Sequence, residues 1–193
     1  MSGAILISDW VEKWRAAAQR GGVMRRAHRL AGALAAVAWL LAAAPARADE
    51  TEGPRVAIVS ATIGGERFDL EVARNPMAQF RGLGGRTSID PHGGMLFVFP
   101  EAEPLAFVMR DCPIPIDVAF LDAQGRVINV HPMVPERPRA SGESTTDYES
   151  RLHPYRSALP ARFAVEVAGG RLAELGVHSG DKIDLDLKSL SPH

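Results

Sequence analysis

Cysteine is nearly missing from this chain. Cys112 is the only one in 193 residues, so an intrachain disulfide is impossible and the fold must rest on packing. The expected role of that thiol is a small buried hydrophobe rather than a reactive group. Lysine is scarce as well: beyond residue 48 only Lys182 and Lys188 occur, and arginine supplies the remaining positive charge. Long apolar runs are also absent. The longest apolar run, Leu30 to Ala44, has 15 residues without a charge, short of the roughly 20 that a membrane-spanning helix needs. The histidines at 92, 131, 153 and 178 lack metal-ligand spacing. Ser157 has no Gly-x-Ser-x-Gly elbow, which argues against a serine hydrolase. Gly82-Leu83-Gly84-Gly85 lacks the preceding strand and following helix of a dinucleotide loop. The spaced acids Asp181, Asp184 and Asp186 fit no calcium loop and read as a solvated strand face. No metal and no cofactor is expected.

What is present first is an export pattern. Met24-Arg25-Arg26-Ala27-His28-Arg29 is basic, the 15-residue apolar run follows, and Pro45-Ala46-Arg47-Ala48 closes it with Ala-x-Ala. These are the three parts of a secretory signal peptide, with cleavage expected after Ala48. The alternative is a retained N-terminal anchor, the one route to a membrane. Arg25-Arg26 lacks the rest of a twin-arginine signal. Met24 opens this signal by itself, so it is the expected start of translation, and residues 1–23 are then an extension outside the protein proper. The expected localisation is periplasmic or secreted.

Residues 49–193 form one expected domain, its core about 55–188, long enough for a proper hydrophobic interior. Setting aside the seven basic and two acidic residues of the first 48 from totals of 22 and 23 leaves 15 against 21, a net charge of −6. An acidic domain of this kind is a poor match to nucleic-acid phosphates or anionic lipid headgroups.

The densest apolar stretch runs from Gly94 to Val130. Met95–Phe99, Leu105–Met109 and Val118–Leu121 are short, rich in Phe and Val, and bounded by Pro, Gly and Asp, as buried strands are. Before it, Arg55–Ile63 and Arg67–Ala73 flank Gly64-Gly65 as a hairpin. Asn75-Pro76 starts a short helix whose Met77 and Phe80 are expected to pack inward. Asp122 to Gly125 turns Val118–Leu121 into Val127–Val130. Met133 to Leu159 is rich in Pro, Ser, Arg and Glu and reads as a long loop, functional or mobile. Phe163–Val167 alternates as a strand, Arg171–Leu175 is a short helix stopped by Gly176, and Lys182–Leu187 is a last strand. Some eight short strands with two short helices imply a mainly β (α+β) fold, a compact small β-barrel, closed or nearly so.

In order and spacing, several segments resemble one family. They are Gln79-Phe80-Arg81-Gly82-Leu83, Arg86, Gly94 to Phe99, Phe107 to Asp117, Phe120-Leu121-Asp122 with Gly125, Tyr155 with Ser157, and Gly176 with Gly180-Asp181. Over about Phe68 to Leu185 the chain resembles the Domain of Unknown Function 192 family of small, often exported, bacterial and archaeal domains. The resemblance implies a compact small β-barrel and brings no established activity with it. Three positions depart from the family pattern. Gly84 stands where Met is usual, Val108 where Trp is usual, and Asp111 where Asn is usual, so an aromatic wall is lost and an amide becomes a carboxylate. The ending Gly176 to Leu185 also resembles the Gly-Asp turn of cradle-loop barrels, a likeness of fold alone.

Asp117 interrupts an apolar run and is the one catalytic candidate. It is either a satisfied buried carboxylate or a base with a shifted pKa. Arg81, Arg86 and Arg110 are its expected partners, in a ligand clamp suited to an acidic group or in a structural network. Asp111, Tyr155 and Ser157 complete the ligand-binding candidates, the last two doubling as loop anchors. Two readings stay open at this level. One is a non-catalytic module that binds a small polar ligand, an envelope glycan or a protein partner. The other is a cell-envelope hydrolase or lyase with Asp117 as base and the arginines as an anion site.

Overall fold

Period-two alternation and glycine turns lay down most of the chain as strands in the computed structural model, which describes residues 57–186 and Leu190. The extension 1–23, the signal peptide 24–48, Arg55, Val56 and Leu187 lie outside the described residues. In chain order the elements are β1 (Ile58–Ile63), β2 (Glu66–Ala73), α1 (Pro76–Arg81), β3 (Gly93–Glu103), β4 (Ala106–Phe107), β5 (Ile116–Leu121), β6 (Val127–Met133), α2 (Thr145–Arg151), β7 (Tyr155–Arg156), β8 (Ala161–Ala168), α3 (Arg171–Glu174) and β9 (Asp184–Leu185).

Seven strands form one curled sheet in the order β6-β5-β8-β3-β2-β1-β9, and β4 pairs with β7 beside it. Pairings in the large sheet are antiparallel except β2 with β3, whose parallel step carries α1 in its crossover. The two sheet edges meet at one end. Val127 N–H donates to the Asp181 carbonyl at 2.8 Å, and Ile183 N–H to that of Gly125 at 3.0 Å. These bonds curl the sheet into a half-barrel, in line with the expected mainly β, barrel-like architecture. Gly94 shows why β3 and β8 lie so close: a Cβ there would stand 2.3 Å from the Glu166 carbonyl oxygen, a separation that glycine alone permits.

Both faces of the sheet are covered. Phe68, Leu70, Leu96, Ala119, Leu121, Val165 and Leu172 pack on the inner face. Phe97, Ile116, Val118, Phe120, Met109 and Met133 pack on the outer face. Each fully buried side chain of this size contributes about 1.5–3 kcal/mol.

Several expectations are corrected. Among the described residues there are three short helices, not two, because the segment 133–159 folds helix α2 within it. Ser144 caps α2, accepting from Asp147 N–H at 3.1 Å while its hydroxyl donates to the Asp147 carboxylate at 2.7 Å. That reciprocal pair was visible as Ser144-x-x-Asp147. The segment is pinned by Arg151, which donates to Glu143 and to the carbonyls of Arg137 and Pro138. Leu105–Met109 contributes only two strand residues, since Pro104 and Pro113 bracket it. The last strand shrinks to Asp184–Leu185. Met77 and Phe80 do not pack inward: they are 50% and 39% exposed. The six-residue α1 buries none of its residues, and Leu83 just beyond it provides the buried contact instead.

Candidate binding cleft

Glu166 stands in the middle of the sheet, on β8 opposite Met95 of β3 and Val118 of β5. Alternation sends Phe163, Val165 and Val167 to the inner core and Ala164 to the outer one. Glu166 shares the parity of Ala164 and so belongs to the outer side.

The crossover from β2 to β3 roofs this carboxyl. Asn75 caps α1 by accepting from Ala78 N–H at 2.8 Å, and Pro76 fills the first turn. The helix stops at Gly82, whose φ of +53° suits glycine and strains other residues. A Cβ on Gly82 would lie 3.3 Å from Glu166 Oε2 and 3.4 Å from the Phe97 ring. The segment 103–112 forms the facing wall. Between the two walls runs a cleft with a cavity volume of about 140 Å³. Phe97, Phe99, Leu105 and Phe107 make it mainly apolar, while Glu166, Cys112, Arg81, Glu103 and Arg110 bring its polar groups. Phe107 meets Phe97 edge-on at 4.8 Å, which fixes the rings as a rigid wall.

Glu166 is 6% exposed, and its Oε2 has no hydrogen-bond partner among the described residues. Burial pushes its pKa up to about 7, against the downward pull of the Leu83 backbone N–H and the Arg86 charge. Cys112 donates to the Arg110 carbonyl at 3.3 Å. Burial pushes this thiol up to about 12, the charges of Glu166 and Asp111 adding to the effect and Arg110 opposing it. At neutral pH the thiol therefore stays protonated, and the carboxyl is divided between its two forms.

The residues singled out from sequence are dispersed. Asp117 faces the other side of the sheet, one residue out of phase with Glu166's neighbour Val118. Its Oδ2 accepts from Leu172 N–H at 2.9 Å, capping α3, whose own N-cap Gly170 offers no side chain. The expected arginine network around Asp117 is absent among the described residues. Arg86 makes a fork to Glu71 with both contacts at 2.7 Å. Arg110 forks to Glu149 at 2.8 and 3.0 Å and lies 4.0 Å from the Phe80 ring centroid. Arg81 lines the cleft, exposed. Asp111 takes a left-handed φ of +53°, a conformation that Asn and Asp tolerate best, and is held by Tyr148: its N–H donates to the phenol oxygen, which donates back to Oδ1 at 3.2 Å. Ser157 anchors its loop, accepting from Leu105 N–H at 2.9 Å, and Tyr155 accepts from Val134 N–H at 3.3 Å. Of the candidates, Arg81 and Arg110 reach the cleft, and Glu166 was missed. Its signal was a single acid inside the alternating Phe163–Val167 run, in a strand whose two faces are both covered.

A curled mainly β sheet with a phenylalanine-lined cleft on its outer face defines a small β domain with a pocket on that face. The chain belongs to the DUF192 family, described as Uncharacterized ACR, whose profile matches residues 59–185. Among solved structures it is similar to a Sinorhizobium meliloti 1021 protein provisionally described as a transcription regulator, with 26% identity and a TM-score of 0.56, covering 70% of this chain and 98% of that one. It is also similar to a protein of unknown function from Novosphingobium aromaticivorans DSM 12444, with 28% identity and a TM-score of 0.55, covering 70% of this chain and 89% of that one. No curated protein matches.

Proposed function

We propose that this domain is a non-catalytic binding module whose cleft takes a small molecule with an apolar, ring-sized body and one hydrogen-bonding head. The observation that carries the reading is Glu166 Oε2, a buried oxygen without a partner among the described residues, on a residue lining an apolar cleft. Such an atom costs about 1–3 kcal/mol unless something bonds to it. The size agrees, since a cavity of about 150 Å³ holds one benzene. The hydrolase or lyase reading loses its base, because Asp117 faces away and is engaged by α3. The one thiol in the cleft, Cys112, is held protonated and is a poor nucleophile. An envelope glycan is a weaker match to so apolar a wall. The regulator description of the S. meliloti relative is not adopted: α1, α2 and α3 have six, seven and four residues, short for reading a DNA groove, and residues 49–193 are net acidic. Residues 24–48 support export of the domain.

The test uses benzyl alcohol and benzamide with the labelled protein, followed by NMR. Both are expected to perturb Phe97, Phe107 and Glu166 at millimolar concentration. Val108 lines the cleft, and Val108→Trp should fold and abolish these shifts. Shifts scattered over the surface, or unchanged in the tryptophan variant, would overturn the reading.

A further inference from the structure

The charge balance inside the cleft narrows the ligand further, on the footing of the reading above. Arg110 is neutralised by its fork to Glu149, and Arg86 by its fork to Glu71. Neither guanidinium is available to clamp an anion. Arg81 lies in exposed surroundings, where solvent screens it, and Glu103 lines the same cleft with the opposite sign. That leaves Glu166, whose Oε2 has no hydrogen-bond partner among the described residues, in a cleft lined by Phe97, Phe99 and Phe107. Rings present a negative face to a cation and repel an anion, so aromatic wall and carboxyl favour the same charge. A carboxylate or phosphate head at Oε2 would meet a like charge, and Arg81, the cation of the lining that makes no carboxylate fork, is exposed to solvent.

We infer that the cleft of this domain recognises a primary ammonium group carried on a ring-sized apolar body, with Glu166 Oε2 as the acceptor of the ammonium proton. The ammonium fills the one unmet hydrogen bond of the site, and the body displaces water from the phenylalanine wall. Gly82 keeps the roof clear of Oε2, since any side chain there would crowd the carboxyl.

The inference carries a pH signature of its own. The bound state requires Glu166 ionised, and in the free protein this carboxyl titrates near pH 7. The ionisable groups coupled to it are Arg86, engaged with Glu71, and Cys112, neutral throughout the range, and Arg81, Arg110 and Glu103 line the same cleft. Benzylamine is the probe, with benzyl alcohol as the neutral match of equal size, each titrated by calorimetry on the full domain. At pH 8 benzylamine is expected to bind at least tenfold tighter than benzyl alcohol. Its affinity should fall about 30-fold between pH 8 and pH 5.5, while that of benzyl alcohol changes less than about threefold. Glu166→Gln should bring the two probes to equal affinity. Should that variant fail to fold, the pH profile of the wild type decides alone. Benzyl alcohol binding as tightly as benzylamine, or a flat benzylamine profile, overturns the ammonium assignment and leaves the cleft reading standing. Failure of both probes to bind overturns both.

Discussion

Glu166 owes its behaviour to three neighbours. Phe97 and the Gly82 backbone shut out water, and the Leu83 N–H and distant Arg86 return only part of the lost solvation. Burial raises its folded-state pKa above the ordinary glutamate value of 4.5 to about 7. The stability associated with it is therefore full below pH 4.5 and is lost as the pH rises through 7. The difference corresponds to roughly 3 kcal/mol. Urea denaturation at pH 4.5 and pH 8 should show this loss in the wild type and not in Glu166→Gln, which has no proton to release. A wild-type profile parallel to that of the variant would refute it. Glu143 acts in another window: the Arg151 fork holds it low, at about 2, so its contribution fades only in stronger acid. Both Asp117 and Glu166 are lone acids in apolar runs, and strand parity alone does not say which face of a sheet holds a cavity.

Among the elements, α3 depends on a residue that is 55 positions away in sequence. Gly170, with φ of +86°, turns the chain into the helix but brings no acceptor for its free N–H groups. Asp117 Oδ2 supplies one from β5. Asp117→Ala should cost about 1–3 kcal/mol by leaving Leu172 N–H unsatisfied in a buried place. Asp117→Asn retains an oxygen acceptor and should recover most of that. Affinity for benzyl alcohol should stay within about twofold in both variants, since the residue faces away from the cleft. A loss of binding at unchanged stability would return Asp117 to the ligand site. Local elements were legible where a cap or turn announced them, as at Asn75-Pro76, Gly64-Gly65 and Asp122 to Gly125. Met77 and Phe80 misled because helical spacing marks a common face without saying what that face meets. Here Phe80 meets the Arg110 guanidinium rather than a core.

For the whole molecule, the curl of the sheet places everything else. The turn at Gly180-Asp181 ties the β5–β6 hairpin to the chain entering β9, with Gly180 N–H donating to the Val127 carbonyl at 2.8 Å. The expected processing also belongs to this scale: N-terminal sequencing of the protein recovered from the periplasm should begin at Asp49, and a start upstream of Met24 would contradict it. Composition and pattern were enough for the fold class and to exclude an intrachain disulfide, and the order of short segments for the family, because each follows from local propensity and from residues that lie close together in the chain. The pairing of acids with their partners was not contained there. Asp117 goes to Leu172, Arg110 to Glu149 and Arg86 to Glu71 only once the strands are in register. Those pairings engage Arg86 and Arg110 elsewhere and leave Glu166 Oε2 without a partner beneath Gly82. Which acid stays unpaired is a property of three-dimensional neighbourhood, and so the cleft became visible only in the folded chain.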